Sequence, residues 1–188
     1  MFSETLDELV SGDVARRTAA GWILAFSAFF VLPAPFAAGY LYRSMRTDGL
    51  PGFGDLFGMY VDGLRLLLVS VSVFLPGFGV IAAAETLGSG VLSVVGFLLV
   101  PAGFYVMYAA IYLASNGGLL SVLSRRLLDI SLDTSYAVAV FGGLLLASAA
   151  SVVYALSFIL LVPVLLLPAF NFYQQLFVHR LVKNAIEE

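Results

Sequence analysis

The chain has no cysteine, a single histidine (His179), a single lysine (Lys183) and few charges of any kind; each shortage removes a class of chemistry. Without cysteine there is no disulfide framework, thiol nucleophile or cysteine metal site. One imidazole cannot build a zinc site alone, and no other ligand is grouped with His179. Beside Arg180 in a polar tail, His179 reads as a surface residue. It is also near no serine in sequence, whereas a serine triad needs its base within reach of the nucleophile. Gly52, Gly54 and Gly58 lack the following Lys-Ser/Thr of a phosphate-binding loop. Charged residues are 11% of the 188, and the net charge is only −3. With no basic run in the chain, nucleic acid is not an expected partner. On these grounds no catalytic, cofactor-binding or metal-binding residue is assigned.

What the chain has in excess is apolar surface. Hydrophobic residues are 61% of it, against roughly 45–50% in ordinary soluble domains. Packing in water cannot hide that surplus, so it must face lipid. The expected fold is an all-α integral membrane domain of about five proline-kinked helices. Spans are placed near 19–41, 66–84, 91–113, 136–157 and 158–177, each close to the ~20 residues a bilayer core requires. The acidic amino terminus (Glu4, Asp7, Glu8, Asp13) opposes a cleaved signal, so the first run is read as a retained span, with a re-entrant hairpin as the alternative. The break near Ser157 carries no Gly-Pro or charge signal.

Between the spans lie three segments with apolar residues at helical spacing, expected as amphipathic helices on the membrane surface: 2–14, 53–65 and 119–132. In the second, Leu50-Pro51-Gly52-Phe53-Gly54 marks a turn, and Phe53, Phe57, Tyr60 and Leu64 share one face. Its acids and bases, Asp55, Asp62 and Arg65 with Arg43 and Arg46 just before, form the candidate contact for a partner or for anionic lipid headgroups. The competing reading is that these charges only keep an interfacial helix wet.

An internal repeat of about 67 residues is expected to organise these elements, the alternative being chance recurrence of Pro-Ala in an apolar chain. Pro33, Pro101 and Pro168 are spaced by 68 and 67 residues, and Asp62 and Asp129 by 67. Such repeats are common in membrane folds. With five spans, Arg43, Arg46, Arg65, Arg125, Arg126, Arg180 and Lys183 fall on one side, and Arg16 and Arg17 on the other. The positive-inside rule makes the first side cytoplasmic, including the connectors and the carboxyl terminus, with the cell membrane as the expected location. No ionisable residue is near the middle of a span, which is where intramembrane function usually shows itself. Glu85, at the end of the second span, reads as interfacial. Asn116, Asn171, Gln174 and Gln175 are expected to bond neighbouring helices, or to line a polar path. Small residues at Gly79–Ala83, Gly142-Gly143 and Ala147–Ser151 are expected at close helix contacts.

The run Gly39-Tyr40-Leu41-Tyr42-Arg43, with Leu50-Pro51-Gly52-Phe53-Gly54-Asp55-Leu56-Phe57 and Asp62-Gly63-Leu64, resembles a domain-of-unknown-function family of archaeal and bacterial multi-pass membrane proteins. That family is in turn distantly similar to YciC-like proteins and to the membrane domain attached to some glycerophosphodiester phosphodiesterases. The resemblance implies an all-helical membrane fold and brings no established activity, and the phosphodiesterase link is expected to carry no catalytic residues here, its soluble catalytic domain having no counterpart in the sequence. Three functions are therefore weighed. The first is a non-catalytic membrane scaffold or accessory subunit, as a homo-oligomer or in a larger complex. The second is a small permease or lipid-handling protein with a midplane cavity at the proline knees. The third, suggested only by the family likeness, is an enzyme acting on lipid headgroups.

Overall fold

The computed structural model describes residues 34–47, 50–156 and 163–187. The first amphipathic segment, Pro33, Arg16, Arg17 and most of the first expected span lie outside them. The described residues form six α-helices and one 3-10 turn, with no strand among them: α1 (Ala34–Ser44), α2 (Leu56–Leu87), α3 (Gly90–Gly117), a 3-10 helix (Leu119–Leu123), α4 (Arg126–Ser131), α5 (Thr134–Leu156) and α6 (Pro163–Glu187). Leu56–Leu87, Gly90–Gly117 and Thr134–Val152 are long and apolar enough to cross a membrane.

Local chemistry sets the helix ends. Asp55 caps α2 by accepting the Gly58 N–H at 2.9 Å, leaving fewer unsatisfied donors in the first turn. At the other end Gly88 takes a left-handed conformation (φ 62°), which a side chain would resist. Ser89 caps α3 immediately afterwards, so α2 and α3 form an antiparallel hairpin with a two-residue turn. Asp133 caps α5, accepting from the amides of Ser135 and Tyr136 at 2.7 and 3.2 Å.

Three differences from the sequence reading stand out. The segment 53–65 is not a separate interfacial helix, because α2 runs without a break from Leu56 through the expected second span. No glycine or proline falls between Gly63 and Pro76 to interrupt it, and Pro76 and Pro101 both lie inside continuous helices. The segment 119–132 is divided at Ser124-Arg125 into the 3-10 turn and the short α4. Most important, the polar tail after residue 177 does not run into water: it completes α6, and His179, Arg180, Leu181, Val182 and Lys183 are all buried. The clue was present, since Val178, Leu181, Val182 and Ala185 carry apolar side chains through that tail to the core.

The core sits at one end of the helices. In α3, Tyr108 to Ser115 are buried on every side, packed with Tyr42, Met45, Val69, Tyr136, Val140, Val178 and Leu181. Tyr105 and Tyr136 tie this region together. The Tyr105 hydroxyl donates to the Ser131 carbonyl at 2.7 Å, and the Tyr136 hydroxyl donates to the Tyr105 carbonyl. The far half of the hairpin is different. Leu75, Phe78, Val91, Val94, Phe97 and Leu98 are exposed, and the two helices bury mainly each other. Glycines bring them together there: a Cβ on Gly96 would lie 2.6 Å from Ile81 Cγ1, and one on Gly103 would lie 3.1 Å from the Phe74 ring. Gly79, expected at such a contact, has open space around it, whereas Gly143 does meet Leu181 and Val178. Gln174 joins α6 to α5 as expected, donating to the Ala147 carbonyl at 2.7 Å and the Ser151 hydroxyl at 2.9 Å. Asn116 likewise reaches the Met45 carbonyl at 3.5 Å.

Candidate functional site

The crossing of α1 over α2 is a contact of backbone on backbone. A Cβ at Gly39 would lie 1.7 Å from the Met59 carbonyl oxygen, and one at Gly63 would lie 1.7 Å from the Pro35 carbonyl oxygen. Only glycine at both places permits this approach. Tyr40 extends the contact on either side, stacking on Phe53 and tilting against Phe172 of α6.

One turn beyond Gly39, Arg43 therefore arrives over the start of α2, where both expected aspartates wait. Its Nε donates to Asp62 Oδ2 at 2.8 Å, and its Nη2 to Asp55 Oδ2 at 2.9 Å. The remaining terminal nitrogen, Nη1, donates to the Asp55 carbonyl at 3.1 Å. Asp62 is 4% exposed and is also met by Arg65 Nη1 at 3.0 Å and Arg46 Nη2 at 3.5 Å. All five residues singled out from the sequence thus lie in one network. Burial of Asp62 among three guanidiniums satisfies the rule that a buried charge must be paired. Asp55 is different: it is exposed, and the Gly58 amide, helped by Arg43, holds its carboxyl below the ordinary range.

A second set of charges, which the sequence reading placed at the surface, packs behind the first. Arg180, 2% exposed, donates from Nη1 to the Ser44 and Thr47 carbonyls at 3.0 and 2.6 Å. Lys183 donates to the Thr47 carbonyl at 2.6 Å and meets Glu187 at 3.4 Å. Cations here satisfy carbonyls at and just after the carboxyl end of α1, where the helix dipole also favours positive charge. Burial lowers the Arg180 pKa from its ordinary value, opposed by Glu187. His179, 3% exposed, gives its Nδ1 proton to the Gln175 carbonyl at 2.8 Å. Its ring packs edge-on to Tyr108, and its buried Nε2 has no hydrogen-bond partner among the described residues. Burial pushes its pKa down to about 4, with the Gln175 carbonyl pulling the other way.

The helix directions put all seven cations of the described residues at this same end of the fold. Two open clefts flank them. One, of about 380 Å³, is lined by Tyr42, Arg65, Ala114, Ser115, Leu119 and Leu120 among others. The other, of about 500 Å³, lies where Arg126, Asp129, Asp133 and Tyr136 face the end of α6. Among the described residues, no group of three His, Asp or Glu side chains is placed to hold a metal ion. Comparison with known proteins finds no matching family model, no similar curated protein and no similar solved structure.

Proposed function

We propose that this chain is an integral membrane protein that acts without chemistry of its own, as a scaffold or accessory subunit in a homo-oligomer or larger complex. The observation that carries this reading is how the ionisable side chains are used. Asp62, Arg43, Arg180 and Lys183 bind one another's helices together at one end, while α2, α3 and α5 present long apolar flanks away from it. Charges engaged in holding a fold are poor acids, bases or nucleophiles, whereas apolar flanks suit lipid and neighbouring helices. Five spans, a 67-residue repeat and a charged end facing the cytoplasm of the cell membrane complete the proposal. The seven cations at that end support the orientation. The likeness to multi-pass proteins without established activity, drawn on Gly39–Leu64, agrees with it.

Native mass spectrometry of the protein, extracted from its own membranes in a mild amphiphile, tests this reading. A retained partner protein or a defined oligomer is expected. A lone protomer under every gentle condition would overturn it. The absence of cysteine makes orientation equally testable: a single cysteine at Ser124 should be labelled from the cytoplasmic side, and one at Thr86 from the other. The second reading, lipid handling, is favoured by one observation, the clefts that open beside exposed leucines at the charged end.

A further inference from the structure

We propose that Arg65, from the lining of the cleft formed by α1, α2 and the end of α3, and Arg46, beside it on Asp62, hold the phosphate of an anionic phospholipid, an inference that rests on the membrane-embedded reading above. Three guanidiniums face two carboxylates here, so the network keeps an excess of one positive charge. That excess is not shared evenly. Arg43 has all three nitrogens engaged with Asp55 and Asp62, and its side chain is largely covered. Arg46 and Arg65 touch Asp62 through one nitrogen each, with side chains 43% and 48% exposed. Nearly half of each side chain is thus open, and a planar guanidinium suits a phosphate oxyanion.

The surroundings select a lipid over a free anion. Arg65 lines the cleft of about 380 Å³ together with Leu119 and Leu120. Leu119, Leu120 and Leu123 of the 3-10 turn are all exposed. One turn further along α2 from Arg65, Leu68 is exposed too, leading onto the apolar flank of the hairpin. A phosphate at the arginines would therefore have apolar surface beside it for acyl chains. A soluble phosphate gains nothing from those leucines. Basic side chains just outside a span are also where anionic leaflets are attracted.

The test uses the full chain in mild detergent, titrated with phosphatidylglycerol, with phosphatidylcholine of the same acyl chains, and with glycerol 3-phosphate. Retained lipid is read by native mass spectrometry. Phosphatidylglycerol should be retained in preference. Arg65→Gln and Arg46→Gln should each reduce its retention roughly five-fold, about 1 kcal/mol per arginine. Arg125→Gln, exposed at the same end but outside this cleft, should leave retention unchanged. Equal retention of the two lipids, or full retention by both the Arg46→Gln and Arg65→Gln proteins, overturns the proposal. Glycerol 3-phosphate competing as well as the lipid would assign the site to a free anion and overturn the choice of lipid. Circular dichroism checks each variant, and should Arg65→Gln fail to fold, Arg46→Gln and the charge-keeping Arg65→Lys decide the matter. Partner proteins appear at separate masses in the same spectra. A chain that keeps a partner or a defined oligomer without lipid preference refutes the headgroup site alone, and a lone protomer that keeps the lipid preference refutes the scaffold reading alone.

Discussion

Replacing Asp62 by asparagine should be among the most damaging single changes at the charged end. The carboxylate is nearly sealed from solvent and receives Arg43 at 2.8 Å, Arg65 at 3.0 Å and Arg46 at 3.5 Å. Removing one member of a buried ion pair costs about 3–5 kcal/mol, because the remaining charge stays desolvated without a partner. That penalty falls on Arg43, whose side chain is 12% exposed, and is moderated by Asp55, which still meets it at 2.9 Å. Arg46 and Arg65 can turn to water, so their share is about 0–1 kcal/mol each. Asparagine keeps one carbonyl acceptor, which places the expected loss near the low end, about 3 kcal/mol. Asp55→Asn should cost far less than Asp62→Asn, since its pair is exposed to solvent and asparagine still caps the helix. Unfolding in mixed micelles, followed by circular dichroism, measures both. A double-mutant cycle of Asp62→Asn with Arg43→Gln should return a coupling above about 1 kcal/mol. An Asp62→Asn protein within about 0.5 kcal/mol of the parent, or a cycle that is simply additive, would refute the reasoning.

Three further outcomes are expected. Gly63→Ala puts a methyl group 1.7 Å from the Pro35 carbonyl oxygen, and forcing α1 off α2 should cost about 1–3 kcal/mol or more. Gly79→Ala on the same helix meets open space and should be neutral or stabilising by up to about 1 kcal/mol; equal thermal midpoints for the two variants would refute the close crossing. His179 takes a proton at about pH 4 when folded and near 6.5 otherwise, so as pH falls the unfolded chain is protonated first. Stability from this group is therefore complete above pH 6.5 and drains away down to about pH 4, by up to about 3 kcal/mol. His179→Phe should flatten that part of the pH–stability curve, and parallel curves for the two proteins would count against a buried neutral imidazole. Arg180→Met removes donors from the Ser44 and Thr47 carbonyls; about 2 kcal/mol should be lost, with faster hydrogen exchange confined first to 40–47.

The helical class and the spans of the hairpin were legible because they depend on local quantities. Long apolar runs and the Pro and Gly at turns are properties of neighbouring residues. The membership of the charged cluster was also legible, since Arg43, Arg46, Asp55, Asp62 and Arg65 are crowded within two turns either side of a loop. Their roles were not. Whether Asp62 is wet or buried depends on α1 lying within backbone contact of α2, and that depends on Gly39 and Gly63, whose sequence neighbours say nothing of a crossing.

The tail shows the same division from the other side. Taken alone, His179-Arg180 and Lys183 are polar residues after a span, and solvent is the natural place for them. Their burial is decided by the carboxyl end of α1, whose carbonyls need donors and which comes from a part of the chain more than a hundred residues earlier. What the sequence determined by itself was the helical class and the long apolar stretches of α2, α3 and α5, because hydropathy acts over a few residues. What only the tertiary structure decided was which charges are buried and which stay open, because desolvation is a property of the whole packing around a group.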